Sequence, residues 1–246
     1  MIASFPMYDR RETADAYDRL WKLMRDRLPM EMGLPQRLTR DIDDLDAHWC
    51  DPGLVISQTC SLPFRTGLSD AVQLVATPVL ALDYDPGFYN SIIVERKGAP
   101  PREGGMRAAY NSADSQSGWA ALEEYRESQG LTWAKTLKTG SHQASARGVA
   151  LGRADIAAID ALSWHQAKTW DGYTRSLKVV GTTSPQPALP YICAKGLDAA
   201  EIREALAGAL RAIEPEHRAA LGVIGLTDIP AERYLEMPPP PAAPAA

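Results

Sequence analysis

Apolar positions in the first third of the chain fall into two patterns. From about Thr13 to Leu28, Tyr17, Leu20, Trp21, Met24 and Leu28 recur at helical spacing, which predicts one amphipathic helix. MIASFPMY (1–8) reads as a short apolar strand that ends in a polar turn through Asp9–Glu12. LVIS (Leu54–Ser57), VQLVAT (Val72–Thr77) and SIIVER (Ser91–Arg96) are β-branched runs of strand length. KGAPPREGG (Lys97–Gly105) is a Pro/Gly-rich loop suited to a domain boundary.

Beyond it the pattern becomes regular. A strand MRAAYN (Met106–Asn111) leads through NSADSQSG into a helix from about Ser117 to Gln129, closed by Gly130 as a left-handed cap. A strand TLKTG (Thr136–Gly140) precedes a helix beginning at Ser141, with Gly152 past its end. The buried strand ADIAAID (Ala154–Asp160), a helix carrying Leu162, Trp164 and His165, and the strand LKVVGTT (Leu177–Thr183) follow. Strands alternating with helices imply an α/β fold with mainly parallel pairing through right-handed crossovers. PQPALPYICAKG breaks the rhythm and marks a second hinge. Asp198 then opens a helix whose apolar face is Ile202, Leu206, Ala209, Leu210 and Ile213, with Glu201 completing a capping box. PPPPAAPAA at the end has nothing to bury and is expected to be disordered.

Composition narrows the class. A chain of 246 residues exceeds the roughly 100–200 typical of one domain, so two modest lobes or one large unit are expected. The 45% hydrophobic and 23% charged content is globular. A net charge of −5 with scattered cations argues against a nucleic-acid partner. No apolar run reaches membrane-spanning length, and MIASFPMYD lacks the features of a secretory signal. A periplasmic location therefore requires a signal upstream or already removed, and a cytoplasmic one is the alternative. Cys50, Cys60 and Cys193 form no CxxC pair and no even set, so they read as reduced, packed thiols.

Motifs for nucleotide, zinc or nucleophile-elbow chemistry are missing, and His48, His142, His165 and His217 are not at metal-ligand spacing. No cofactor and no metal is expected. Two strand-to-helix junctions stand out instead. Asn111, Ser112, Ser115, Ser117 and Gly118 form a hydroxyl-rich turn, where a helix N-terminus adds unpaired N–H groups that favour an anion. The alternative is ordinary capping by Ser115 or Ser117. Ser141 and His142 open the next helix, either as cap and surface histidine or as neutral donors to a ligand. Asp160 ends a strand on the same sheet edge and either caps the following helix or accepts from a ligand proton. Tyr8, Gln58, Thr59 and Tyr89 are candidates from the other strands, against packing or turn chemistry. Trp164 and His165 read as helix packing.

In order, SQTCSLPF, VATP followed by GFYNSIIVER, YNSADSQSGW, and GSHQASARGVALGRADIAAIDALSW resemble the phosphate/phosphite/phosphonate-type substrate-binding proteins of ABC transporters. The resemblance runs from about Met1 to Ile213. It implies a two-lobed type II periplasmic-binding fold of two mixed, mainly parallel sheets, with a cleft and two hinge crossings. Lobe one would be 1–96 plus 188–236, lobe two 97–187, and 237–246 a tail. It also implies that Ser112, Ser115, Ser117 and Gly118 hold ligand oxygens, with Ser141, His142 and Asp160 beside them and Tyr8, Gln58 and Thr59 opposite. Asp114 departs from the family loop by adding a negative charge there.

The function so implied is capture of a small oxyanion between lobes, with no chemical step and an ABC permease as partner. Two other classes use the same fold. One is a cytosolic enzyme of the menaquinone-biosynthesis, chorismate dehydratase type, with His142, Asp160 or Cys60 as acid–base groups. The other is an intracellular ligand sensor acting through a protein partner.

Overall fold

The computed structural model describes residues 1–100 and 104–244. In chain order it begins with β1 (Ile2–Ala3), α1 (Ala14–Arg25), α2 (Leu45–Trp49), β2 (Leu54–Gln58), the single turn α3 (Ser61–Pro63), and β3 (Val72–Leu80). Next come β4 (Phe88–Tyr89), β5 (Ser91–Arg96), β6 (Met106–Tyr110), α4 (Ala121–Gln129), β7 (Trp133–Lys138) and α5 (His142–Ala150). The remainder is β8 (Ile156–Asp160), α6 (Ala161–Trp170), β9 (Leu177–Thr182), β10 (Gln186–Pro187), β11 (Tyr191–Ala194), α7 (Ala199–Ala212), α8 (Pro215–Leu221), β12 (Val223–Thr227) and α9 (Ala231–Leu235).

The chain forms two compact units, Met1–Phe88 with Pro187–Met237, and Tyr89–Gln186 with Pro238–Ala246. The sequence reading assigned SIIVER to lobe one; β5 instead pairs along its length with β8 and β9 in the second unit. The chain therefore changes unit before SIIVER, at Phe88/Tyr89, ahead of the Pro/Gly loop. Residues 101–103 of that loop lie outside the described residues.

The first unit is a five-stranded sheet in the order β1-β2-β11-β3-β12. Only β1 and β2 pair in parallel; β11 runs antiparallel to both β2 and β3, and β12 antiparallel to β3. The sheet is mixed, as expected, but its pairing is mainly antiparallel rather than mainly parallel, because β1, β2 and β3 share one direction and β11 and β12 insert against them. Trp49, Leu54, Phe64, Leu68, Val72, Ile192 and Tyr234 make one core cluster. Phe5 stacks on Tyr17 of α1 and meets Tyr191 of β11 edge-on. Arg19 of α1 holds Glu214, the residue before α8, in a forked ion pair.

The second sheet runs β7-β6-β8-β5-β9. β7, β6 and β8 are mutually parallel, as right-handed crossovers through α4 and α5 require. β5 is antiparallel to both its neighbours, so β9 runs in the same direction as β6, β7 and β8, as the sequence rhythm suggested, but the reversed β5 separates it from them. Strand alternation sorts the side chains onto two faces. Ile93, Ala108, Tyr110, Ile156 and Ala158 face α4, packing with Trp119, Ala121 and Leu122. Val94, Ala109, Ala157 and Ile159 lie in the other cluster, with Ala146 and Val149 of α5 and Trp164 of α6. Trp164 is thus core, as expected, while His165 is exposed.

The C-terminal segment departs from expectation. Ala243 packs on the α4-side cluster, and Trp119 Nε1 donates to Pro241 O at 2.6 Å. The predicted disorder of 237–246 failed to weigh an indole donor that needs an acceptor; residues 245 and 246 lie outside the described residues.

Candidate functional site

The two hydroxyl-rich junctions come together in the second unit. After β6 the chain winds Gln116–Ala120 as a wide turn that runs directly into α4. Its first main-chain bond joins Ala120 N to Ser115 O at 3.1 Å, one residue wider than an α turn. Ser115 caps the turn by accepting from Gly118 N at 3.0 Å. After β7 the neighbouring junction is tied to it through the main chain: Thr139 N donates to Tyr110 O at 2.8 Å and Gly140 N to Asn111 O at 2.9 Å. Gly140 has φ +88°, a backbone conformation that costs glycine alone little. Thr139 Oγ1 pairs with Ser145 Oγ at 2.6 Å, which braces the start of α5.

Ser117 Oγ meets His142 Nε2 at 2.8 Å. Burial pushes the His142 imidazole down to about 4, with the Ala158 backbone opposing. At pH 7 the ring is therefore neutral, with one N–H and one bare nitrogen. Ser141 caps α5 by accepting from Ala144 N at 3.0 Å. A serine oxygen that accepts in this way keeps its own O–H to donate, so capping by Ser115 and Ser141 is compatible with ligand binding.

Gly118 is set by contact. A Cβ there would overlap Asn111 Oδ1, and it would crowd Ser115 Oγ at 3.0 Å. Asn111 Oδ1 is itself buried, with no hydrogen-bond partner among the described residues. Ser112 donates to Asp114, an exposed residue, so its hydroxyl is turned to that carboxylate. The structure therefore groups Asn111, Ser115, Ser117, Gly118 and His142, with Ser141 adjacent in the chain. Asp160 takes the capping alternative, its Oδ1 accepting from Ser163 N at 2.9 Å, and is 1% exposed. Tyr89 is fully buried.

In the first unit Tyr8 is buried, and its carbonyl accepts from Thr13 Oγ1 at 2.8 Å. Gln58 is fully buried, with Nε2 donating to Leu189 O at 2.9 Å. Thr59 N donates to Pro190 O at 3.2 Å and its hydroxyl to Cys60 O at 3.2 Å. Only the Thr59–Cys60 contact is local turn chemistry; the bonds to Leu189 and Pro190 reach the chain just before β11.

Sequence reasoning missed Gln116 and Gln186, a buried pair joined Nε2 to Oε1 at 2.7 Å. Nothing local marks Gln186 as a partner for a residue 70 positions away. It also missed the Trp119–Pro241 contact. Among the described residues no group of His, Cys, Asp and Glu is arranged to hold a metal ion.

The family model for "ABC transporter, phosphonate, periplasmic substrate-binding protein" matches residues 2–231. The chain belongs to this phosphonate-type substrate-binding family. That family is a binding component of importers and not an enzyme, which sets the dehydratase-like alternative aside. In ABC importers this family is periplasmic, and its role implies a small ligand and a permease partner. Among the described residues no helix is long and apolar enough to cross a membrane.

Solved structures show the same mixed α/β fold. PhnD1 from Prochlorococcus marinus (MIT 9301), in complex with methylphosphonate, is 14% identical with a TM-score of 0.71, covering 95% of this chain and 94% of that one. A binding-protein component of an ABC phosphonate transporter from Pseudomonas aeruginosa is 16% identical with a TM-score of 0.73, covering 96% and 82%. A Xanthomonas citri protein bound to chloride ion is 18% identical with a TM-score of 0.64, covering 96% and 94%. No curated protein sequence matches the chain.

Proposed function

We propose that this member of the family captures a small phosphonate- or phosphate-like oxyanion and passes it to an ABC permease in the periplasm, with no chemical step. The ligand oxygens would sit on the first turns of the helices that begin at Gln116 and His142. The observation that carries this reading is the Ser117–His142 contact at 2.8 Å, which joins two helix N-termini through neutral polar groups. Helix ends supply partial positive charge, and serine hydroxyls supply donors. Because His142 is neutral at pH 7, the anion would be held by dipoles rather than by a full cation.

Selectivity would follow from matched hydrogen bonding. An analogue that fails to pair with Ser115, Ser117 or the Gly118 region leaves buried groups unsatisfied, which costs about 1–3 kcal/mol each, whereas a lost bond to the exposed Ser141 costs less. Asn111, Ser112 and Asp160 would shape the surroundings of the site, and Tyr8, Gln58, Thr59 and Tyr89 remain part of the proposal as contributors tested by substitution.

The test is a thermal-shift and calorimetry panel of methylphosphonate, phosphite, phosphate, sulfate and small carboxylates. Ligand at a hundredfold excess over its dissociation constant stabilises by about 2.7 kcal/mol. A stabilising shift with a phosphorus oxyanion that Ser117→Ala weakens is the expected result. Silence across the whole panel would overturn the reading.

A further inference from the structure

We propose that Trp119 is a positioning residue for the ligand site and that the C-terminal segment from Pro238 to Pro244 is the clamp that holds it. Trp119 follows Gly118 in the wide turn and is 2% exposed. A buried indole N–H requires an acceptor. Here the acceptor is Pro241 O, 122 positions away in sequence, at 2.6 Å. Tyr110 packs on the indole with ring centroids 4.9 Å apart, and Ala243 adds to the same cluster.

The composition of the segment suits this task. Four consecutive prolines, Pro238–Pro241, carry no backbone N–H, and polyproline backbone makes no internal hydrogen bonds, so its carbonyls are open to outside donors. Proline also restricts the unbound chain, which lowers the entropy cost of ordering it. Met237, just before the prolines, is partly buried against the core cluster of the first unit. Holding the indole holds the turn. The same five residues carry Ser117, whose hydroxyl must reach His142, and Gly118, which has no lateral space.

The inference rests on the oxyanion reading for its functional consequence but not for its mechanical one. The experiment therefore measures both, in wild type, in a variant ending at Met237, and in Trp119→Phe, which keeps an aromatic ring and removes the donor. Amide hydrogen exchange is followed in residues 116–129 and, as an internal reference, in α7. Calorimetry follows methylphosphonate and inorganic phosphate. Faster exchange confined to 116–129 in both variants, with affinity reduced about twofold to tenfold, the scale of one neutral hydrogen bond, is the expected result. Unchanged exchange and unchanged affinity in both variants overturn it. If wild type binds neither anion while exchange still rises in the variants, the clamp stands and the ligand reading fails. If the truncated chain also loosens α7, Trp119→Phe decides.

Discussion

Ser117 and His142 touch at 2.8 Å although their helices pack on opposite faces of the same sheet. The two helices follow adjacent parallel strands, β6 and β7, so both begin at the same sheet edge. That edge is where open α/β sheets bind ligands.

Removing either partner should weaken oxyanion binding by about 1–3 kcal/mol, the penalty for an unsatisfied buried group. Ser117→Ala and His142→Gln combined should cost less than the sum of the two, because the contact they share is lost only once. Calorimetry on the three variants checks this, and strict additivity would show that the pair does not act as a unit.

Gly118→Ala should be more damaging than either. The new methyl group must displace the Asn111 side chain, whose backbone carbonyl also anchors Gly140. We expect lower thermal stability and lost binding, with part of the stability restored when Asn111→Gly is added. A Gly118→Ala variant that melts and binds like wild type would contradict the crowding.

Stability should fall in mild acid through His142. Its folded-state value of about 4 lies below the 6.5 of an unrestrained imidazole, so between these limits the unfolded chain binds more protons. The contribution is complete above pH 6.5 and is lost as pH falls towards 4, on the order of 3 kcal/mol in all. Denaturant titrations of wild type and His142→Gln across that window should converge at low pH. Parallel pH profiles would remove the assignment.

Thiol reactivity should divide sharply. Cys50 is exposed, whereas Cys60 and Cys193 are buried. Burial, with the Asp198 charge adding to it, pushes the Cys193 thiol up to about 11. The thiolate is the reactive form, so one fast-labelling cysteine is expected under native conditions, identified by mass spectrometry as Cys50.

Local signals carried much of the fold. The left-handed Gly130 cap, with φ +62°, and the caps by Ser141 and Asp198 are settled within three residues and form, Glu201 meeting Asp198 through its backbone N–H. The strand ADIAAID is buried as read, with Ile156, Ala157, Ala158 and Ile159 in the core. Elements whose stability comes from distant partners were not legible. The last strand, β12, pairs with β3 residues about 150 positions earlier and carries exposed Ile224. Pro78, one residue past the predicted strand Val72–Thr77, sits inside β3 opposite Leu226. At the site, Ser115 and Ser141 cap their helices, and because capping uses the oxygen and leaves the hydrogen, the same serines stay available for the proposed binding role. Local pattern could not choose between two readings that do not exclude each other.

The middle of the second sheet is built from very small side chains, Ala108 and Ala109 on β6 and Ala157 and Ala158 on β8, all fully buried. Helices resting on methyl groups approach the backbone closely, and that intimacy brings their leading turns within reach of each other over the sheet's rim. Enlarging any one of these alanines to valine or leucine would wedge a helix outward and part serine from imidazole without altering a single polar residue. Tolerance to mutation should therefore be lowest in the plainest part of the molecule.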